Sequence, residues 1–214
     1  MLSSVETIVA THMKKQVEAG DVIEELPIDN LLINDVAAVQ LQELYDTMDL
    51  HAPPFDASSI FMVLDHVVPP SDPLIADNLQ RTKEFARKLQ MTLFREGEGI
   101  EHVLLSEYGL VSTGDILVGT DSHTCTNGAL GCLAFGVGIT DALFVMMTGR
   151  VYNFVVPETV HLLCSGTLSR GVYAKDVILY ILSRLEKQTV LDRVIQFSGN
   201  AVSSMSSDER STLC

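Results

Sequence analysis

The stretch GDILVGTDSHTCTNGALG, residues 114–131, decides how this chain is read. Within it, Ile116 to Gly119 is a short apolar run, the composition of a strand buried on both faces. Directly behind that run stand Asp121, Ser122, His123, Thr124 and Cys125, after which the chain turns small and glycine-rich. In open α/β sheets, ligands collect outside the carboxyl ends of the strands. A carboxylate, a hydroxyl, an imidazole and a thiol packed together at such an end point to a site.

Working outward, a second apolar run, SSIFMVL (58–64), also reads as a buried strand, and it runs into Asp65-His66. Parallel strands share one carboxyl edge, so both carboxylate–imidazole sets can face one cleft. A third imidazole, His102, lies in EGIEHVLL, the segment leading to the second strand. A carboxylate bonded to one ring nitrogen fixes the tautomer and raises the basicity of the other, which is what proton transfer near neutrality requires. A single such pair at a strand end is more often an ordinary hydrogen-bonded pair; two at like positions, with a further histidine, favour chemistry. Two metal readings stay open beside this one. Cys125, His123 and Asp121 form a triad on alternate residues, although three ligands within so short a segment seldom close a tetrahedral site. His66, Asp121 and His123 would suit a mononuclear metal hydrolase. The glycines at 128, 131, 136 and 138 match no phosphate-binding register and read as close packing of a helix on the sheet. His12, His51 and His161 read as surface or satisfied core, and Met146-Met147 as core filling.

Around these segments, strands and helices alternate. Ser3 and Glu6 have capping-box spacing before a helix over 4–18. Asp77 is placed to cap a helix whose Leu79, Phe85, Ala86 and Leu89 face inward. MTLF (91–94) reads as strand, GIEHVLLSE as a short helix, DILVGT as strand and residues 128–149 as helical, in one or two pieces. This alternation predicts a parallel sheet covered on both faces, a three-layer α/β/α domain over residues 1–152. From Pro157 the pattern restarts as strand (ETVHLLCSG), amphipathic helix (AKDVILYILSRLE) and strand (DRVIQFSG), followed by a polar tail, NAVSSMSSDERSTLC. Residues 153–214 therefore read as an incomplete second α/β domain.

Composition narrows the partners. A chain of 214 residues with 47% apolar residues can bury a sizeable core. Its formal net charge of -14 repels phosphate backbones and anionic membrane surfaces, so neither nucleic acid nor membrane is expected. Groups that bind a small anion must then be local exceptions or come from another chain. Glu6 and His12 interrupt the apolar core a signal peptide would need, and Gly131, Gly136, Gly138 and Asp141 break the longest apolar stretch. The four cysteines are far apart, with no C-x-x-C, as expected for reduced thiols in the cytoplasm.

The segments LDHVVP (64–69), GIEHVLL (99–105), GDILVGTDSHTCTNGALG (114–131), FGVGITD (135–141), VPETV (156–160) and AKDVILYI (174–181), taken in order, resemble the aconitase superfamily. The resemblance is nearest to its 3-isopropylmalate dehydratase and homoaconitase large-subunit branch. It implies a hydro-lyase of 2-hydroxy di- or tricarboxylic acids, of the leucine-biosynthesis type, using a [4Fe-4S] cluster and a separate small, swivelling-domain subunit. On that resemblance, Asp65 and His66 correspond to a pair that protonates the departing hydroxyl, and His102 and Asp121 to a second pair. Ser122 corresponds to a substrate-carboxylate contact and His123 to a third active-site histidine. The glutamate that partners this last histidine in the family is Gln196 here, and Val39 stands where relatives carry Gln or Pro. The family's three cluster cysteines correspond to none of the four present. The chain thus reads as the first domain and part of the second of a longer protein, inactive by itself; the other reading is a non-catalytic relict or dicarboxylate-binding module that keeps the fold.

Overall fold

A computed structural model describes residues 2–214. Helix α1 (Ser4–Met13) is closed by the expected capping box: Ser3 Oγ accepts from the Glu6 N–H, and a Glu6 carboxylate oxygen accepts from the Ser3 N–H at 2.7 Å. It stops at Met13 and not at residue 18, because Lys14 takes a left-handed conformation with φ 52° that ends the helix. The chain then forms β1 (Val22–Pro27), β2 (Asn30–Asn34) and α2 (Asp35–Thr47), none of which the periodicity had marked. After these come β3 (Ile60–Val63), α3 (Pro73–Lys88), β4 (Thr92–Phe94) and α4 (Glu101–Glu107). The cap of α3 is Asp72, whose Oδ1 accepts from the Ile75 N–H at 3.0 Å. Asp77 lies inside the helix instead, since Pro73, with its preset φ and no N–H to satisfy, fixes the start further back.

Strand β5 (Ile116–Gly119) is followed by a 3-10 segment (Thr124–Leu130), β6 (Leu133–Gly136) and α5 (Ile139–Thr148). The helix expected over 128–149 is therefore three elements. Gly131, at φ 81°, ends the 3-10 segment, and Gly138 is the N-cap of α5. The glycines serve as breaks between elements, and a further role at Gly136 is described below.

Strands β4, β3, β2, β5 and β6, in that order, form one five-stranded sheet in which every neighbouring pair is parallel. Successive side chains of a strand point to opposite faces. Leu31, Ile33, Ile60, Met62, Ile116 and Val118 accordingly enter a core shared with α1, α2, α3 and α5, which contribute Val9, Leu41, Phe85 and Met146. Leu32, Phe61, Val63 and Leu117 enter a second core on the other face, beneath Leu104 and Leu105 of α4. The result is the three-layer α/β/α arrangement that the strand–helix alternation predicts.

Strand β7 (Arg150–Val155), which crosses residue 152, pairs antiparallel with β1 as a two-stranded ribbon. Beyond it, β8 (Thr159–Leu163), α6 (Ala174–Arg184), α7 (Lys187–Val190) and β9 (Val194–Ser198) make a strand–helix–strand unit with β8 and β9 parallel. The segment read as a polar tail folds into α8 (Asn200–Ser203) and α9 (Ser207–Leu213). The polarity that suggested a tail is a second capping box, Ser206 with Glu209, and α9 packs between α6 and the 3-10 segment after β5. No helix among the described residues is long and apolar enough to cross a membrane.

Candidate active site

Three parallel strands deliver polar residues to the same edge of the sheet. Beyond β2 comes Asn34-Asp35, beyond β3 Asp65-His66, and beyond β5 Asp121-Ser122-His123. Thr120 ties the first end to the third: its Oγ1 accepts from the Asn34 N–H at 3.2 Å and its own N–H donates to the Leu32 carbonyl. Close backbone approach is made possible by two glycines paired across β5 and β6. A Cβ on Gly119 would lie 2.2 Å from Thr124 Oγ1, and one on Gly136 would lie 2.6 Å from the Asp121 carbonyl oxygen.

The loop after β3 is held by Asp35, a buried carboxylate in the first turn of α2. Its two oxygens accept from the backbone N–H groups of His66 (3.1 Å) and Val67 (2.9 Å). Asp65 does the same for the neighbouring helix, its Oδ2 accepting from the Glu101 N–H at 2.7 Å, while its Oδ1 lies 2.7 Å from His66 Nδ1. This leaves His66 Nε2 facing Asp121 Oδ2 at 3.4 Å. The other oxygen of Asp121 serves two imidazoles, with His102 Nε2 at 3.3 Å and His123 Nδ1 at 3.0 Å, and accepts from the His123 N–H at 2.6 Å. Asp65, His66, His102, Asp121 and His123 are thus one connected array. Ser122 and His123 lie at its exposed rim, with Ser122 Oγ 3.4 Å from His123 Nδ1.

Gln196 lies outside the array. Its amide oxygen accepts from both the N–H and the hydroxyl of Ser4, each at 3.0 Å, and so braces β9 against the start of α1. Val39 is half-buried on α2. His12 bonds Asp29, His51 lies beside Asp49, and His161 bonds Ser198, all as satisfied or surface residues.

The imidazoles of exposed His66 and half-buried His102 are pushed in opposite directions. Burial disfavours the imidazolium of His66, but its bond to Asp65 and the charges of Asp65, Glu101 and Asp35 outweigh that, and its pKa is raised. For His102, burial dominates over attraction to Asp121, with repulsion by His123 adding to it, and its pKa is lowered. Asp121 is held below the usual carboxylate range: burial opposes this, but the His123 N–H and the imidazoles around it favour the anion.

Residue-by-residue reading of the sequence missed two members of this site. Asp35 follows an apolar run, NLLIND, built on the same pattern as the two strand ends that were noticed. Glu101 is fully buried, and burial together with repulsion by Asp65 and Asp121 pushes its pKa up to about 7.

As for metals, three overlapping sets have ligand atoms within 4.8 Å of one another: His102, Asp121 and His123; Asp35, Asp65 and His66; and His66, Glu101 and Asp121. Among the described residues, His66, Asp121 and His123 do not converge as a set, and no set contains Cys125 or another cysteine. Asp35, Asp65 and Asp121 already bond backbone N–H groups or imidazoles, which occupies oxygens that a cation would need. The Cys125 thiol points at the Cys214 carbonyl (3.3 Å), and burial pushes the thiols of Cys132 and Cys214 up to about 12 and 11, away from the thiolate a metal needs. The cysteines described do not fit an iron–sulfur cluster.

Comparison with known proteins identifies the family. The aconitase family (aconitate hydratase) profile matches residues 6–214. A 3-isopropylmalate dehydratase large subunit of Aquifex aeolicus is 40% identical over 213 residues, 97% of this chain and 48% of that protein. That of Wolinella succinogenes is 37% identical over 214 residues (98% and 49%), and large subunit 1 of Pyrococcus furiosus is 38% identical over 211 residues (97% and 49%). The chain spans about half the length of the curated relatives it matches. With the family profile covering almost all of it, the chain belongs to the aconitase family.

Proposed function

We propose that this chain is the N-terminal portion of a 3-isopropylmalate dehydratase-type large subunit and supplies the acid side of a hydro-lyase acting on 2-hydroxy di- or tricarboxylic acids. The observation that carries the reading is the opposed tuning of two imidazoles on one carboxylate, Asp121. Environments that drive titratable groups apart assign acid and partner roles. His66, with raised proton affinity and Nδ1 tied to Asp65, is the general acid that donates from Nε2 to the departing hydroxyl. His102, neutral near pH 7, orients and receives. Ser122 and His123 sit where a substrate carboxylate enters, Ser122 as a hydrogen-bond donor. The [4Fe-4S] cluster of the family would act as Lewis acid on the hydroxyl, but the described cysteines do not gather for it.

Electrostatics support a partner. The floor of the site carries Asp35, Asp65, Glu101 and Asp121, and none of the described ion pairs brings a Lys or Arg to it. A di- or tricarboxylate needs cations there, and the small subunit or the remainder of the large one is their source. We place the chain in the cytoplasm, in keeping with its four free cysteines, and divide it into domains 1–152 and 153–214. Gln196, in place of an acid and turned to Ser4, favours a second reading, a dicarboxylate-binding relict.

The test is turnover. Assembled with the rest of a large subunit and a small subunit, the chain is expected to dehydrate 3-isopropylmalate, and His66→Gln is expected to lower kcat by about 10²-fold or more. Binding of dicarboxylates with no turnover in that assembly would select the relict.

A further inference from the structure

Every other carboxylate of the array has its donors. Asp35 holds two backbone N–H groups, Asp65 holds the Glu101 N–H and His66, and Asp121 holds the His123 N–H. Glu101 has no close donor: it is 0% exposed, neither of its carboxyl oxygens makes a well-formed hydrogen bond, and the Asn34 side chain favours its anion less than burial and the neighbouring carboxylates oppose it. The groups facing it come from every neighbouring element. They are Asp65 and His66 from the end of β3, Asp121 from the end of β5, Asn34 from the end of β2, and His102 on its own helix, whose Nε2 lies 3.6 Å from Oε1. His123 and Asp35 stand one contact further out, on His102 and His66.

A fully buried carboxylate with no close donor, beside two other carboxylates, is a costly ion. The same carboxyl carrying a proton is neutral and has an O–H to offer. We propose that Glu101 is a positioning residue that stores one proton beneath the two Asp–His pairs and, by keeping or releasing it, sets the charge on His66. With Glu101 protonated, Asp65 and Asp35 alone hold the His66 imidazolium. When Glu101 releases its proton, a further negative charge faces His66 and tightens its hold on its own. If the released proton passes to a neutral His66, acid plus imidazole becomes carboxylate plus imidazolium and the net charge is unchanged. Burial and the neighbouring carboxylates bring Glu101 to about 7, into the range where imidazoles titrate. The inference rests on reading Asp65–His66 as the acid of the site, but its test needs neither substrate nor turnover.

The experiment uses the full chain. Infrared difference spectra between pH 6 and pH 8 should show a protonated-carboxyl carbonyl band that fades as pH rises and is missing from Glu101→Gln. NMR titration of labelled histidines should place the His66 midpoint about one pH unit lower in Glu101→Gln than in the parent. Absence of the band in the parent would overturn the proposal whatever the variant does, so a variant that fails to fold still leaves a decision. An unchanged His66 midpoint in a folded variant would overturn it as well. If the band and shift are present while the assembled enzyme turns nothing over, the functional reading fails and the proton store stands.

Discussion

The same motif, parallel strand–helix–strand, occurs twice in this chain with opposite burial. In the five-stranded sheet, every residue of β2, β3 and β5 is buried. In the β8–α6–β9 unit, no residue of either strand is buried, and α6 buries only Ala174. Leu163 is 72% exposed, and Leu179, Tyr180 and Leu182 present an open apolar face on α6. The strands of both units carry apolar side chains, near-continuously in the first and interrupted by Thr159, His161, Gln196 and Ser198 in the second. Side-chain chemistry states what should be covered, whereas the number of elements packed around a strand decides whether it is.

That contrast can be broken by mutation. The largest effect is expected in the first sheet, where Met62→Ala or Leu117→Ala should cost about 2–5 kcal/mol in denaturant unfolding. Leu163→Ala, on β8, should change stability by no more than about 0.5 kcal/mol. Comparable losses at both places would erase the difference between the regions.

Next is the buried edge of the first sheet under pH change. The Glu101 carboxyl is raised from its ordinary 4.5 to about 7, so the folded state binds its proton more tightly than the unfolded chain does. Its contribution to stability is therefore full below about 4.5 and is lost as pH rises through about 7. Glu101→Gln has no such loss, and relative to the parent it should gain stability over that interval, by at most on the order of 3 kcal/mol at pH 8. A gain that instead appeared on acidification would have the wrong sign for a buried acid.

A smaller effect is expected at Asp35. Asp35→Ala leaves the N–H groups of His66 and Val67 without their acceptors and should cost about 1–3 kcal/mol, with faster amide exchange confined to the loop after β3. Smallest in stability, but visible in solution, is the open face of α6. The isolated chain should self-associate in light scattering, and Leu179→Lys with Leu182→Lys should reduce it. A monodisperse parent would show that this face needs no cover.

These regions also differ in how far the sequence could be read. Strand ends that pass from an apolar run straight into Asp-His were legible, because apolarity and the polar stop lie side by side in the chain. The same signal in NLLIND went unread, and with it β2, α2 and Asp35, whose importance comes from bonds to residues 31 and 32 positions away. Glu101 was invisible for a different reason: an acid in a helix's first turn ordinarily faces water and the helix dipole, and only the convergence of three strand ends buries it. Residues 128–149 misled because small apolar residues suit helix and buried strand alike, and Gly131, read as packing, ends the 3-10 segment, while Gly136 packs against the loop after β5 and not against a helix. Gln196 was placed by resemblance, but its bonds run to Ser4.

The most direct test of the account is a histidine-resolved NMR titration of the chain. It predicts a His66 midpoint above the ordinary 6.5 and a His102 midpoint below it, both responding to Asp121→Asn. Midpoints that coincide, or that fall in the reverse order, would contradict the division into acid and partner on which the proposed chemistry rests.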